Sequence, residues 1–351
     1  MNGTMNAAMN AAMSGNVDVT TLLPLIWAAL IGTAVAFYVI LDGFDLGIGI
    51  LFPFARNDAD RDRMLASIAP FWDGNETWLV LGGAGLLVAF PRAYSIVMPA
   101  FYLPLIVMLL ALVLRGVTFE FRAIAQRKLF WNAVFAGSST LAALCQGLVL
   151  GGLVQGVKIE NGAYAGGAFD WATPFGLMCA FGVVAGYALL GATWLMMKTD
   201  GDLAARAAWQ AKELLAAVLV FMAAVSLYTP LAFPRIAQRW LTLPNLLYLA
   251  PVPILTLLIA FAQWRAIEAR REVTPFLATV GLFLLGYLGL VISTFPYMVP
   301  PALTIWDAAA APSSQLFMLT GTLLLLPLIL SYTALTYWLF RGKVREGATY
   351  H

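Results

Sequence analysis

The chain has 351 residues, of which 62% are hydrophobic and only 11% are charged, and its mean hydropathy is +0.85. Soluble domains contain roughly 25% charged and about 45–50% apolar residues, so this composition excludes an ordinary water-soluble fold and predicts an integral membrane protein. The net charge of +2 is too small to indicate a nucleic-acid partner.

Residues 1–21 precede the first apolar run and contain no lysine or arginine. A cleaved signal peptide would begin with basic residues, so we interpret this segment as a disordered tail. Nine apolar stretches follow, each near the roughly 20 residues that a spanning helix needs. They cover about 22–51, 68–90, 97–116, 130–153, 172–197, 213–233, 246–264, 275–295 and 314–340. Residues 22–340 are therefore expected to form one all-α polytopic membrane domain, followed by a cytoplasmic tail over 341–351.

Basic residues alternate between the two sides of the predicted membrane. Sixteen of the 20 lysines and arginines follow odd-numbered spans, and the other four follow even-numbered spans. Because lysine and arginine are enriched in cytoplasmic loops, this alternation predicts nine spans with a periplasmic N-terminus and a cytoplasmic C-terminus. The count assigns Arg115 and Arg122 to the loop after the third span.

Four carboxylates lie in the cytoplasmic halves of the first two spans: Asp42, Asp45, Asp73 and Glu76. Spans joined by a short loop are usually neighbours, so we expect the four to face one another. Ionisable groups within spans are costly and often carry protons or ions. Asp42 and Asp73 are the favoured functional pair, because the other two lie nearer to structural partners, and Asn75 can help to order water.

A structural role for these acids remains open, either as helix caps or as partners of loop arginines. The arginines concerned are Arg56, Arg61 and Arg63. Glycines at 43, 47 and 49 predict a close approach of another helix beside Asp42 and Asp45. Trp78, which follows the second acidic pair, is either a packing residue or part of a route for a small apolar molecule.

The external segment between the last two spans is rich in proline, over residues 296–301. Proline density predicts a rigid, non-helical segment, which is either a docking surface, a lid or a plain loop.

Metal-binding residue types are scarce in this sequence. The only histidine is His351, the last residue, and the two cysteines, Cys145 and Cys179, lie within apolar runs. A haem in a membrane bundle normally needs an axial histidine, so the sequence predicts that this chain ligates no haem and no metal. The cysteines are expected to fill space rather than form a disulfide.

In these residues the sequence resembles subunit II of the cytochrome bd-type ubiquinol oxidases, from about Trp27 to Gly342. The most specific piece is Asp-Gly-Phe-Asp-Leu-Gly at 42–47. The other pieces occur in order at 56–58, 67–70, 72–75, 191–193, 295–296, 304–307, 313–315, 332–334 and 337–338, together with Trp78, Arg115, Glu120 and Arg122.

The resemblance implies two four-helix bundles plus one peripheral helix, in a bacterial cytoplasmic (inner) membrane. It implies a heterodimer with a subunit I that holds haems b and d, and a complex that oxidises quinol, reduces O2 to water and takes protons from the cytoplasm. Subunit II supports assembly and a proton or oxygen route. Asp42 and Asp73 match the proton-path residues, with Asp45, Glu76 and Asn75 beside them, and Trp78 matches the gas entry. The resemblance leaves open a structural quinone and a small single-span accessory subunit.

Two departures from the family pattern qualify the resemblance. Phe71 stands where many relatives have histidine before Trp-Asp-Gly-Asn, and the external segment at about 234–245 is short, as in the cyanide-insensitive branch. A proton-coupled transporter is the alternative function. Its expected sign, matched broken spans in two inverted halves, is missing because the prolines at 99–104 and 296–301 do not correspond. A structural membrane scaffold is a third possibility.

Overall fold

The computed structural model describes residues 19–344, so most of the predicted N-terminal tail and the end of the C-terminal tail lie outside the described residues. The fold is helical, which confirms the predicted all-α class. The helices are α1 Val19–Leu51, α2 Asp58–Ile68, α3 Trp72–Ala89, α4 Pro91–Ala100, α5 Tyr102–Ile124, α6 Lys128–Gln155, α7 Pro174–Lys198, α8 Gly201–Ala232, α9 Pro234–Leu241, α10 Asn245–Leu249, α11 Pro251–Glu268, α12 Thr274–Thr294, α13 Ile305–Ala308 and α14 Pro312–Leu339. Two antiparallel hairpins pair β1 Ile159–Glu160 with β2 Ala163–Tyr164, and β3 Tyr297–Val299 with β4 Leu303–Thr304.

Within residues 19–344, eight helical segments are long and apolar enough to cross a membrane, by length and composition. They overlap the first and the third to ninth predicted spans. The second predicted span corresponds to α3, which has 18 residues and begins with the polar side chains of Asp73, Asn75 and Glu76. Those residues lower its mean hydropathy, so α3 is not among the eight.

The predicted third span was wrong at both ends. The helical structure is interrupted at Phe101, between α4 and α5, and α5 then continues to Ile124. Arg115 and Arg122 are therefore buried helical residues, with 0% and 3% of their surface exposed, rather than loop residues. The reason is that a span predicted from hydropathy ends at the first charged residues, whereas a helix continues for as long as its backbone and packing allow.

Helix α7 lies at the centre of the bundle and packs against α1, α6, α8 and α12. Its contact with α1 is the one that the glycines predicted. A Cβ atom built on Gly47 would collide with the Tyr187 carbonyl group, and one built on Gly191 would collide with the Gly47 backbone. The two helices thus approach to backbone contact, which brings the acidic segment of α1 into the protein interior.

The proline-rich segment folds onto the start of α1 rather than projecting as a plain loop. Val299, Leu303 and Ile305 are buried in a cluster with Trp27. The Trp306 indole donates a hydrogen bond to the Thr21 carbonyl at 3.1 Å. This surface is therefore built by β3, β4 and α13 together with the first span.

Candidate functional site

An ionic cluster lies where α1, α3 and α5 meet, and Arg115 of α5 is its only cation within the described residues. One guanidinium nitrogen of Arg115, Nη2, donates to the Asp42 carboxylate and lies 3.1 Å from Glu76 Oε1. The side chains of Arg115 and Asp42 are completely buried, whereas 27% of the Glu76 side chain is exposed. The cluster therefore begins inside the bundle and reaches its surface at Glu76.

The loop arginines that were alternative partners of these acids pair elsewhere. Their partners are acids of the loops and of neighbouring helix ends: Arg56 with Asp202, Arg61 with Asp58 and Arg63 with Asp200. Two of the acids within the first two spans, Asp42 and Glu76, are consequently paired with Arg115 of α5.

Asp45 is fully buried one turn beyond Asp42, but its partners are neutral. The Asn75 amide donates to Asp45 Oδ2 at 2.7 Å and to the Leu41 carbonyl at 3.2 Å. The Tyr337 hydroxyl of α14 donates to Asn75 Oδ1 at 2.9 Å. Asn75 therefore holds Asp45 from one side and is itself oriented by the last helix.

Asp73 lies outside the buried part of the cluster. Its side chain is exposed, while Asn75 on the same helix is buried against α1. At about 100° per residue, Asp73 points roughly 160° away from Asn75 but only about 60° away from Glu76, which is the partly exposed end of the cluster. The favoured pair of Asp42 and Asp73 thus combines a fully buried carboxylate with an exposed one.

Several buried polar atoms of the cluster have no hydrogen-bond partner among the described residues. They are Asp42 Oδ2, Asp45 Oδ1, Glu76 Oε1, Arg115 Nε and Arg115 Nη1. Glu76 Oε1 still interacts with Arg115 through the ion pair. Buried polar groups are nearly always hydrogen-bonded to protein or to ordered water, so this set marks a place where further polar contacts are needed.

Two tryptophans flank the second acidic pair and have different surroundings. Trp78 is buried at the interface of α3 with α1, where its ring centroid lies 4.7 Å from that of Phe37. Trp72 stacks on Phe119 at 4.8 Å and lies 5.7 Å from the Arg115 guanidinium group. Trp72 thereby covers the ionic cluster, while Trp78 packs one and a half turns further along α3.

Phe71, which replaces the histidine of many relatives, is an aromatic packing residue in this chain. Its ring is stacked 4.6 Å from Tyr337 and meets Trp194 edge-on at 5.6 Å. The Lys198 ammonium group lies 5.3 Å from the same ring. The position therefore offers no group that can exchange a proton.

Within residues 19–344 no three histidine, cysteine, aspartate or glutamate side chains are arranged so that they could hold a metal ion. Cys145 and Cys179 are buried free thiols, and His351 lies outside the described residues.

Comparisons with known proteins agree with this architecture. Residues 23–340 match the family described as cytochrome bd terminal oxidase subunit II. The chain belongs to this family. Subunit 2 of the cytochrome bd-I ubiquinol oxidase from Escherichia coli K12 is 30% identical, over 93% of this chain and 96% of that protein. Subunit 2 of the cytochrome bd ubiquinol oxidase from Bacillus subtilis is 28% identical, over 93% of this chain and 98% of its own length.

The fold is also that of a solved bd oxidase. A chain of the enzyme from Geobacillus thermodenitrificans superposes with a TM-score of 0.72 at 18% identity, covering 91% of this chain and 98% of that chain. Family membership makes this chain a multi-pass protein of the bacterial inner membrane and one subunit of a respiratory oxidoreductase complex that contains haem and a subunit I. The alternative of a proton-coupled transporter has no support among these relatives.

Sequence reasoning missed three side chains that extend the cluster into the bundle. Gln146 of α6 donates to the Tyr38 hydroxyl at 2.8 Å, and Tyr187 of α7 donates to Gln146 Oε1 at 2.5 Å. One signal was available: Gln146 is a strongly polar residue within an otherwise apolar span, and Tyr38 lies one turn before Asp42. The three residues meet because three helices pack together, and this contact could not be predicted from the sequence of any one helix.

Proposed function

We propose that this subunit II chain guides protons from the cytoplasm toward a haem-bearing subunit I, in a complex that oxidises quinol and reduces O2 to water. The proposal includes the predicted topology, with nine spans, α3 among them, a periplasmic N-terminus and a cytoplasmic C-terminus. It places haems b and d in subunit I and the structural support of assembly in this chain. The polar residues of the proposed route are Asp42, Asp45, Asp73, Asn75 and Glu76.

The excess of acids over bases in the buried cluster carries this proposal. Asp42, Asp45 and Glu76 lie around a single cation, Arg115. Charge left unbalanced inside a membrane is expensive, so a cluster of three carboxyl groups and one guanidinium group is expected to bind and release protons. A purely structural ion pair would need one acid only.

The unpartnered polar atoms support the same function. Asp45 Oδ1, Arg115 Nε and Arg115 Nη1 are buried without partners among the described residues. Water molecules that satisfied these atoms would connect the carboxyl groups into a path along which protons can move. Glu76, which is partly exposed, is the entrance to that path.

Asp73 has a distinct place in the proposal. It lies on the exposed face of α3 together with Val80 and Leu87. An apolar helical face that carries one carboxylate suits contact with another membrane subunit better than contact with lipid, because a lone charge facing lipid is costly. We therefore assign Asp73 to the transfer step between this chain and subunit I.

Trp78 retains its proposed role beside an oxygen route, since it lies on the same helix as the proton residues and is surrounded by apolar side chains of α1. The structural quinone, the accessory subunit and the cyanide-insensitive character remain predictions of the resemblance.

The test replaces one carboxyl group at a time in the purified complex. We expect Asp45→Asn and Glu76→Gln to lower quinol-dependent oxygen consumption at least about tenfold, because each removes a proton-exchanging group. Haem content, measured on the same samples, separates lost turnover from lost assembly. Asp170→Asn, in the loop on the opposite side of the bundle, is the matched control. Unchanged turnover in both cluster variants would exclude this route.

A further inference from the structure

A line of three neutral side chains runs from the centre of the bundle to Asp42. The Tyr187 hydroxyl lies 2.5 Å from Gln146 Oε1, and Gln146 Nε2 lies 2.8 Å from the Tyr38 hydroxyl oxygen. Tyr38 and Tyr187 are 4% and 1% exposed, so water cannot compete freely for these groups. Tyr38 precedes Asp42 by four residues on α1, which places both on one face of that helix.

An acceptor and a proton at the end of this line are complementary. Arg115 occupies Asp42 Oδ1, while the buried Asp42 Oδ2 has no hydrogen-bond partner among the described residues. The Tyr38 hydroxyl oxygen accepts from Gln146, so its own proton still requires an acceptor. That hydroxyl lies beside the Asp42 carboxylate and interacts with it.

The direction of donation along the line follows from the donor inventory. An amide has an oxygen that only accepts and a nitrogen that only donates, and each tyrosine has one proton to donate. If Gln146 were turned over, Tyr38 would donate to the amide oxygen, Tyr187 would receive from the amide nitrogen, and the Tyr187 proton would have no acceptor. The observed orientation lets every proton find an acceptor, with Asp42 as the last one.

We infer that Tyr187, Gln146 and Tyr38 form a one-way donor chain that ends on Asp42 Oδ2. Tyr38 touches the carboxylate, whereas Gln146 and Tyr187 are positioning residues that act through it. Each donor in such a chain polarises the next, so the last hydroxyl donates more strongly than a lone tyrosine would. The chain thus adds a second stabilising contact to the Asp42 anion, beside Arg115.

This inference rests on the proposed function for its biological purpose, and it assigns different roles to Asp42 and Asp45. Asp42 receives donors on both oxygens and is held as an anion. Asp45, whose hydrogen bonds come from a neutral amide, is left as the group that exchanges protons. Among the described residues, the charged or titratable groups that face Asp42 are Tyr38 and Asp45 on α1, Glu76 on α3, Arg115 on α5, Tyr187 on α7 and Tyr337 on α14.

The experiment follows the infrared carbonyl band of protonated Asp42 in the intact complex during a pH titration, with the band assigned by its loss in Asp42→Asn. Tyr38→Phe removes the last donor. We expect the pH at which half of Asp42 is protonated to rise by about one unit or more, because a hydrogen bond to the anion is lost. Tyr287→Phe is the control, since that hydroxyl donates to the Gly32 carbonyl at 2.8 Å and lies outside the chain.

The decisive variants do not touch Asp42. In Tyr187→Phe the amide of Gln146 is free to turn over and accept the hydrogen bond of the Tyr38 hydroxyl. The protonation midpoint of Asp42, which is the pH at which half of it is protonated, should then rise as it does in Tyr38→Phe. In Tyr187→Phe combined with Gln146→Leu, that competing acceptor is gone and the Tyr38 proton returns to Asp42. We therefore expect the double variant to regain the midpoint of the unmodified complex.

The donor chain is rejected if the protonation midpoint of Asp42 stays unchanged in Tyr187→Phe, or if it is raised equally in the double variant. A packing role for Tyr187 predicts no return of the midpoint in the double variant. If the double variant fails to assemble, the single variants Tyr38→Phe and Tyr187→Phe decide. An unchanged protonation midpoint of Asp42 in either variant rejects the donor chain. So does the absence of an Asp42 band at every pH at which the complex retains its haems. Oxygen consumption is measured in parallel. A shifted band with an unchanged pH dependence of turnover upholds the donor chain and shows that the protonation of Asp42 does not limit the proton route.

Discussion

Two of the buried polar clusters that join helices among the described residues differ in charge: the first contains charged groups and the second does not. In the first, Asp42 and Glu76 meet Arg115 between α1, α3 and α5. In the second, Gln263 of α11 donates to the Thr279 hydroxyl of α12 at 2.7 Å, which lies 3.2 Å from that of Thr193 on α7. All three residues of the second cluster are 0% exposed.

The difference shows that neutral side chains alone can join helices inside this bundle. Neutral side chains provide interhelical hydrogen bonds without the cost of removing charge from water. Under the proposed function, the acids and the arginine add what neutral groups cannot, which is to take up and release protons. The second cluster is the internal reference against which the first can be tested.

The largest expected effect comes from removing the cation of the first cluster. Arg115→Leu leaves Asp42 and Glu76 facing each other without a partner, which we expect to cost about 3–5 kcal/mol. The complex should retain little haem after purification and should unfold at a lower temperature. Both quantities can be measured on the same sample.

The double variant Arg115→Leu with Asp42→Leu is the matched control for that prediction. It removes charge of both signs, so a large part of the lost stability should return, although turnover should not. Equal loss of haem in the single and the double variant would mean that Arg115 acts through its shape rather than its charge.

The contrast between the clusters also shows what could be read from the sequence. Apolar runs are local, so the spans could be predicted from hydropathy, and the acids that interrupt them stood out. The partner of those acids was not found, because Arg115 lies at the end of its apolar stretch and was counted with the loop that follows. Nor could the exposure of Asp73 be predicted, since the face that α3 turns inward is decided by its packing against α1.

The hydrogen-bonded line that ends at Asp42 was even harder to predict from the sequence, because Tyr38, Gln146 and Tyr187 come from three helices. What brings them together is the contact of α1 with α7 at Gly47 and Gly191, and no sequence pattern gives the rotation of one helix against another. The glycines at 43, 47 and 49 indicated that a close approach exists, but not which helix makes it.

An intermediate effect is expected from Gly191→Ala, which widens the contact of α1 with α7 beside the first cluster. The added Cβ atom would collide with the Gly47 backbone, and backbone cannot yield as a flexible side chain can. We expect a loss of about 1–3 kcal/mol, seen as a lower unfolding temperature of the complex. Gly286→Ala on α12 is the control, because a Cβ atom there meets nothing within 4 Å. If both variants were equally stable, the backbone contact would not hold the first cluster in place.

The smallest effect is expected in the second cluster. Gln263→Leu removes an interhelical hydrogen bond to Thr279, and such bonds between membrane helices contribute about 0.6 kcal/mol on average and at most about 1.7 kcal/mol. Turnover should be unchanged, because no proton-exchanging group is lost. Gln263→Glu keeps the shape but introduces an acid without a cation, and it should destabilise the complex more than Gln263→Leu does. A loss of turnover in Gln263→Leu with full haem content would show that the neutral cluster also takes part in function, and it would remove the reason for assigning proton transfer to the charged cluster alone.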